Sequence, residues 1–307
     1  MDFIFSKEIK KHKNNNLPIL ALESTIIAHG MPYPENLRFA KNIELNCRKK
    51  GVAPATIAVL DGRVHIGLTN KELKRVCQSK KILKLSKRDL PFALAKKQSG
   101  ATTVSSTLWL AYRAGISVFS TGGIGGVHRE VNKHFDVSQD LKALSETPII
   151  TISAGAKSIL DLPKTIEKLE TLGVPVVGYN SNFFPAFYTR SSGLKLDKTI
   201  DTEKQAALLF LEHLKLGLCS SLLVVNPISK KNEIPQNKID FFISRALIKA
   251  KKQGVSGKEL TPFLLENIRK ETRGDSLKAN ISLAKSNVRL GAKIAHELSL
   301  CVNMTTN

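Results

Sequence analysis

Alternation of strand-length and helix-length segments predicts an α/β fold: a largely parallel central sheet flanked by helices, with a small β-hairpin and a helical C-terminal region. Three observations carry that expectation. Short β-branched apolar runs recur between amphipathic stretches; two such runs are separated only by Asp61-Gly62; and the pattern becomes wholly helical after Lys238.

Taken in order, residues 1–16 are polar and lysine-rich and read as a mobile basic tail, leaving residues 17–307 as a single α/β domain. Residues 18–22 form the first apolar strand. Residues 35–50 have helical periodicity, with Leu37, Ala40, Ile43, Leu45 and Cys47 on the apolar positions. Residues 56–60 and 63–67 flank Asp61-Gly62 and read as a hairpin. Strands at 82–85, 116–120, 149–152, 174–177 and 222–225 then alternate with helices at 88–98, 104–114, 156–172 and 202–214. Three helices, at 239–254, 256–271 and 276–298, close the chain as an appended layer or lid. The interruption between Pro227 and Pro235 is too short for an interdomain linker.

Lysine and arginine total 47 against 26 aspartate and glutamate, a balance of +21 that favours phosphorylated small molecules, nucleic acid or an acidic surface. The excess is spread in short lysine-rich pieces without interleaved aromatics, which argues for solvated helix faces over a nucleic-acid platform. The four cysteines form no CxxC pair, so neither a disulfide framework nor a zinc knuckle is expected. No run reaches membrane-spanning length and no signal-peptide core is present, so a cytoplasmic protein without membrane association is expected.

Several segments concentrate reactive groups at strand ends. Lys157 follows the run 148–152 and the small residues Ser153-Ala-Gly-Ala156. In a partly dry site such a lysine loses preference for its charged form and can attack a carbonyl to give a Schiff base. The alternative is an exposed lysine in the first turn of the next helix. Glu23 ends the first strand, where ligands sit in open parallel sheets; it is a candidate general acid or base, or else a cap for Thr25 or a partner for a lysine. Four glycines among residues 122–126 follow another strand beside Thr121 and His128, suiting a ligand loop or a tight structural turn. In His134-Phe-Asp136-Val-Ser138-Gln-Asp140, two carboxylates four apart would share a helix face and suit magnesium or manganese, although Asp136 or Ser138 would equally serve as an N-cap. Residues 100–107 read as a polar turn entering a helix, suited to an anion or to ordinary capping. Asn280 either meets a ligand or decorates a helix.

Five strings, in order and spacing, closely resemble the pseudouridine-5'-phosphate glycosidase family: Leu22-Glu-Ser-Thr-Ile-Ile-Ala-His-Gly-Met-Pro-Tyr-Pro34, Ser86-Lys-Arg-Asp-Leu-Pro91, Gly100-Ala-Thr-Thr-Val104, Phe119-Ser-Thr-Gly-Gly-Ile-Gly-Gly-Val-His-Arg129 and Ala154-Gly-Ala-Lys-Ser-Ile-Leu-Asp161. The resemblance extends over about residues 18–298. It implies cleavage of the C-glycosidic bond of pseudouridine 5'-phosphate to uracil and ribose 5-phosphate, a lyase by classification. It further implies Lys157 as the imine-forming nucleophile and Glu23 as the proton donor. By the same resemblance Asp136 holds Mn2+, Ser138, Gln139 and Asp140 form a substrate loop, and Lys84 and Val104 are further substrate contacts. Thr103, Thr121, His128 and Asn280 are implied as additional pocket residues, and the implied assembly is a homotrimer. The chain departs from the family at Asn182 and Phe183, at the stretch 226–233 and at Gln139, changes expected to alter the pocket rim. Competing readings are a Schiff-base aldolase or lyase on another phosphosugar and a basic RNA-binding protein.

Overall fold

A computed structural model describes residues 2–255 and 257–305, the side chains of 133, 258, 304 and 305 excepted. The elements are β1 (Phe3–Phe5), α1 (Lys7–Asn14), β2 (Ile19–Leu22), α2 (Thr25–Ala28), α3 (Glu35–Arg48), β3 (Ala53–Leu60), β4 (Arg63–Ile66), α4 (Asn70–Gln78), β5 (Leu83–Leu85), α5 (Leu90–Ala95), β6 (Gly100–Thr102), α6 (Val104–Arg113) and β7 (Val118–Ser120). They continue with β8 (Val127–His128), α7 (Val131–His134), α8 (Gln139–Glu146), β9 (Ile150–Ser153), β10 (Leu160–Asp161), α9 (Leu162–Thr171), β11 (Val176–Tyr179), β12 (Thr199–Ile200), α10 (Glu203–Lys215), β13 (Leu222–Val225), α11 (Gln236–Lys252), α12 (Leu260–Glu271) and α13 (Asp275–Thr305).

The main sheet runs β1-β4-β3-β2-β7-β9-β13-β11-β12, with β6 also pairing β3 and carrying β5 beside it. Every pair from β3 to β12 along this path is parallel. All residues of β3, β9 and β13 are buried, as expected for strands covered on both faces by helices. Leu22 of β2 lies opposite Ser120 of β7, and Ser120 opposite Ile152 of β9, so these three strands end level with one another. The expected hairpin is β3–β4, paired antiparallel from Leu60↔Arg63 and turned by Asp61 and Gly62 at φ 49° and 74°. It is built into the main sheet, because β3 also pairs β2.

The helical C-terminal region is α11 to α13, and α13 packs on β2, β7 and β9. At Gly291 the helix comes so close that an added Cβ would stand 3.0 Å from Leu20 Cδ1, 3.3 Å from Ser120 Cβ and 3.5 Å from Ile152 Cδ1. Among the described residues no helix is long and apolar enough to cross a membrane.

Three expectations are corrected. Residues 2–16 are no tail: β1 pairs parallel with β4, Ser6 caps α1 by accepting from Ile9 N, and Ile9 is fully buried. Phe3, Phe5 and Ile9 supply apolar contacts to the core, which the surrounding lysines conceal in composition. Residues 100–102, read as a turn, form β6, paired parallel to β5 and antiparallel to β3. A further element not assigned from the sequence is α4, in the lysine-rich stretch after residue 70, started by a Thr69–Glu72 capping box and buried through Leu73, Val76 and Cys77. The helix expected from residue 156 begins at Leu162, where Asp161 caps it and Pro163 occupies its first turn. Residues 154–157 are instead bonded to the glycine loop through Ala154 N to Gly122 O and Lys157 N to Ile124 O.

Ile9→Ala is expected to lower unfolding free energy by about 2–5 kcal/mol, the range for emptying a buried isoleucine site. Urea denaturation checks this; an unchanged midpoint would mean that the segment contributes nothing to the core.

Candidate active site

Level strand ends place Glu23 after β2, Thr121 after β7 and the Lys157 segment after β9 along one edge of the sheet. Glu23 and Lys157 line a common cavity of about 640 Å3, a size suited to a small ligand. Lys157 Nζ donates to Gly123 O at 3.0 Å. Lys157 therefore sits in a loop with its amine at the cavity wall, which removes the alternative of an exposed lysine in a helical turn. Thr121 Oγ1 donates a short hydrogen bond to Glu23 Oε1, so Thr121 stands behind the carboxylate and not among the lining residues. Burial pushes the Glu23 carboxyl above its ordinary range; the Lys157 charge and the Thr121 hydroxyl oppose that rise, and the nearby Asp140 adds to it. Lys84, on β5, also lines the cavity, and burial followed by the Lys157 charge lowers its pKa.

The second wall is built around Asp140. The two carboxylates of residues 136 and 140 do not share a helix face, because Ser138 caps α8 and the helix starts at Gln139. Asp140 Oδ1 accepts from Ser105 N at 3.0 Å and its Oδ2 from Gly125 N at 2.8 Å. The anion expected at the start of α6 is thus supplied by the protein itself: Asp140 occupies the helix N-terminus, and no cap bond comes from the Thr103 side chain. The glycine loop is correspondingly less open to a ligand than expected. Gly125 N–H is spent on Asp140, Ile124 N–H on Gly155 O and Val127 N–H on Thr165 Oγ1. Gly125 is required by close approach, since a Cβ there would lie 2.2 Å from Ser138 Oγ.

Thr103, Val104, Ser138, Gln139, His128, Asp136 and Asn280 line the same cavity. Gln139 Oε1 accepts from Arg88 N at 3.1 Å, joining α8 to the turn before α5. Asn280 is 6% exposed and its Oδ1 has no hydrogen-bond partner among the described residues, so it meets the cavity and does not decorate a surface. His128 Nδ1 lies 3.7 Å from Asp136 Oδ2, and burial lowers the His128 pKa while Asp136 opposes that shift. Among the described residues no three His, Cys, Asp or Glu side chains gather as a cation cage. Asn182 and Phe183, expected to alter the rim, do not line the cavity. Their backbone is spent in a surface loop in which Leu196 N bonds Asn182 O and Phe183 bridges to Lys195.

Sequence reasoning passed over His29, Phe135 and Phe187, all of which line the cavity. It also passed over Asn287, a fully buried asparagine in α13 whose Nδ2 donates to Thr121 O at 2.8 Å and to Gly122 O at 3.2 Å. Its seven-residue spacing from Asn280 puts both on one helix face, a signal visible in the sequence.

A family model described as indigoidine synthase A like protein matches residues 8–297. The chain belongs to the indigoidine synthase A like family. Its relatives include a pseudouridine-5'-phosphate glycosidase of Caldanaerobacter subterraneus, 51% identical over 96% of each chain, and one of Petrotoga mobilis, 48% identical over 96% of each. Among solved structures, the prealnumycin C-glycosynthase AlnA in complex with ribulose 5-phosphate superposes with a TM-score of 0.91 at 34% identity, covering 98% of both chains. The indigoidine synthase A like architecture therefore extends through the whole sheet and the helical C-terminal region.

Two outcomes follow from this geometry. Because the folded state holds the Glu23 proton more tightly than the unfolded chain, the stability it contributes is present below the ordinary value of 4.5 and is lost as pH rises through the higher folded value. Glu23→Gln is expected to melt above the wild type near neutral pH, with the difference closing toward pH 4.5. Calorimetry across that range is the check, and an equal or lower melting temperature at neutral pH would contradict the burial argument. Gly125→Ala should displace Ser138 and Asp140 and lower turnover by about 10²-fold, the scale of an ångström-sized misplacement. Steady-state kinetics on the folded variant read this directly.

Proposed function

We propose that this protein cleaves pseudouridine 5'-phosphate, with water, to uracil and ribose 5-phosphate through an imine on Lys157. The observation that carries the reading is one cavity lined by an amine and a carboxyl group whose charges act on each other, Lys157 and Glu23. The names of relatives near 50% identity support the substrate, and the C-glycosynthase relative carries a pentulose phosphate on the same architecture.

An ordinary glycosidase protonates a leaving oxygen, whereas here the departing atom is uracil C5. The chemistry needs an electron sink at C1'. In this reading the C1'–O4' bond breaks as O4' takes a proton, and the Lys157 nitrogen bonds to C1'. C5 is then protonated, the C1'–C5 electrons restore the uracil ring, and the nitrogen lone pair forms the C1'=N bond. Water releases ribose 5-phosphate and regenerates the amine. Glu23, whose burial favours its protonated form, supplies protons to O4' and C5 and recovers them from the amine and from water. Lys84 supplies positive charge for the phosphate, with Ser138 and Gln139 on the same wall. Asn280 offers an unpaired acceptor to a donor on the base.

Asp136 fits the manganese ion expected for the family as a single carboxylate at the cavity, with a side chain 37% exposed. Such an ion is completed by water and ligand oxygens, and when bound it offsets negative charge on the substrate.

Pseudouridine 5'-phosphate is expected to yield uracil while uridine 5'-phosphate does not, read by liquid chromatography. Borohydride reduction with ribose 5-phosphate should add the sugar to Lys157, located by peptide mass spectrometry, and Lys157→Ala should lose about 10⁴-fold or more in turnover. Label on another residue, or uracil from the N-glycoside alone, would reject the assignment. Asp136→Asn should raise the manganese concentration for half-maximal activity by about tenfold or more.

A further inference from the structure

We propose that Asn287 is a positioning residue for this reaction: its side-chain amide, braced by Asn226, fixes the 121–123 backbone from which Glu23 and Lys157 are both held. The inference rests on the reading above for its chemical consequence, and on the following geometry for its existence.

Three residues at the end of β7 form a junction. Thr121 sends its hydroxyl to Glu23, and Gly123 receives the amine of Lys157 on its carbonyl. The two remaining carbonyls of the junction, of Thr121 and Gly122, are both taken by Asn287 Nδ2. Gly122 O also accepts from Ala154 N at 2.9 Å, and Thr121 N donates to Ile152 O at 3.0 Å, so the junction is stitched to β9 on its other side. The proton donor and the nucleophile are thus separated by a three-residue span in which Asn287 takes the Thr121 carbonyl and shares the Gly122 carbonyl with Ala154 N.

Asn287 is itself held. Its Oδ1 accepts from Asn226 Nδ2 at 3.0 Å, and Asn226 Nδ2 also donates to Ser286 Oγ at 3.1 Å. Asn226 N donates to Ser153 O at 2.8 Å, which anchors the brace to the end of β9. An asparagine with no exposed surface, both donors and its acceptor engaged, has one rotamer open to it, so its geometry is passed on to the junction. Satisfying two carbonyls is a structural service in itself; what marks positioning is that the same junction carries the Thr121 hydroxyl on Glu23 and the Gly123 carbonyl on Lys157.

Asn287→Leu removes the amide while keeping the branched four-atom side-chain skeleton. Wild-type uracil release from pseudouridine 5'-phosphate is measured first, and then the variant's kcat, KM and pH profile. The expected result is a kcat reduced by about tenfold or more with KM changed by less than about threefold, the pattern of lost alignment with binding preserved. The basic limb of the kcat profile should move upward, because the Thr121 hydroxyl favours ionised Glu23 and its withdrawal favours the protonated form. The charged groups acting on Glu23 from neighbouring elements, Lys157 after β9, Asp140 on α8 and Lys84 on β5, are the same in both proteins.

A second measurement needs no substrate. The 13C resonance of the Glu23 carboxyl, identified by its loss in Glu23→Gln, is titrated in wild type and in Asn287→Leu. A higher midpoint in the variant supports the proposal; identical titrations with an unchanged kcat and a lower melting temperature would reduce Asn287 to a structural residue. Should Asn287→Leu fail to fold, Asn226→Ala keeps the amide but removes its brace. It should show the same kcat loss and upward shift at smaller size, and wild-type behaviour there overturns the proposal. If the wild type releases no uracil, the assigned reaction falls, and the titration still decides whether Asn287 sets the state of Glu23.

Discussion

Parallel pairing of β2, β7 and β9 in level register sends three chain segments off the same edge of the sheet at the same height. Backbone hydrogen bonds fix that register, and a slip of one residue would turn Glu23 and Thr121 to the wrong faces. The cavity, the donor–amine pair and the glycine loop all inherit their spacing from this pairing. Elements added around it, α8 with Asp140 and α13 with Asn280 and Asn287, close the edge and bond to the loops that leave it.

Charge is handled locally at this edge and not by the chain's overall excess of +21. Lys84 and Lys157 face the cavity together with Glu23, Asp140 and Asp136. Asp140 is held by backbone N–H groups, at the first turn of α6 and at Gly125, while its charge still acts on Glu23 and Lys84. Burial raises the Glu23 pKa against the opposing Lys157 charge, so the carboxyl and the amine each act on the other's ionisation across the cavity. The surface lysines are largely on helix faces, as in α1 and α11, and play no part in this arrangement.

Much of this was legible in the sequence because it depends on local pattern. The central strands announce themselves as β-branched runs, Asp61-Gly62 as a turn, and Glu23 and Lys157 by their position just past apolar runs. What escaped depends on contacts between distant segments. Residues 100–102 look like a turn until β5 and β3 supply partners, and residues 3–9 look like a tail until β4 and the core supply theirs. Asp140 looked like a ligand to a cation or substrate because nothing nearby in sequence reveals that its partners are Ser105, 35 positions away, and Gly125. Lys157 was drawn toward a helix by the periodicity of residues 162–171; Asp161 and Pro163 mark the true start, and they are a short-range signal that was available.

Gly291 sets how closely α13 can lie on the sheet, and the atoms nearest to it belong to Leu20, Ser120 and Ile152, one from each of the three level strands. The missing side chain therefore works as a shim of zero thickness beneath the helix that carries Asn280 at the cavity and Asn287 behind it. A single added methyl group would press on Leu20 and Ser120 and only touch Ile152, so the fit of the helix over β2 and β7 rests on a residue that meets no ligand.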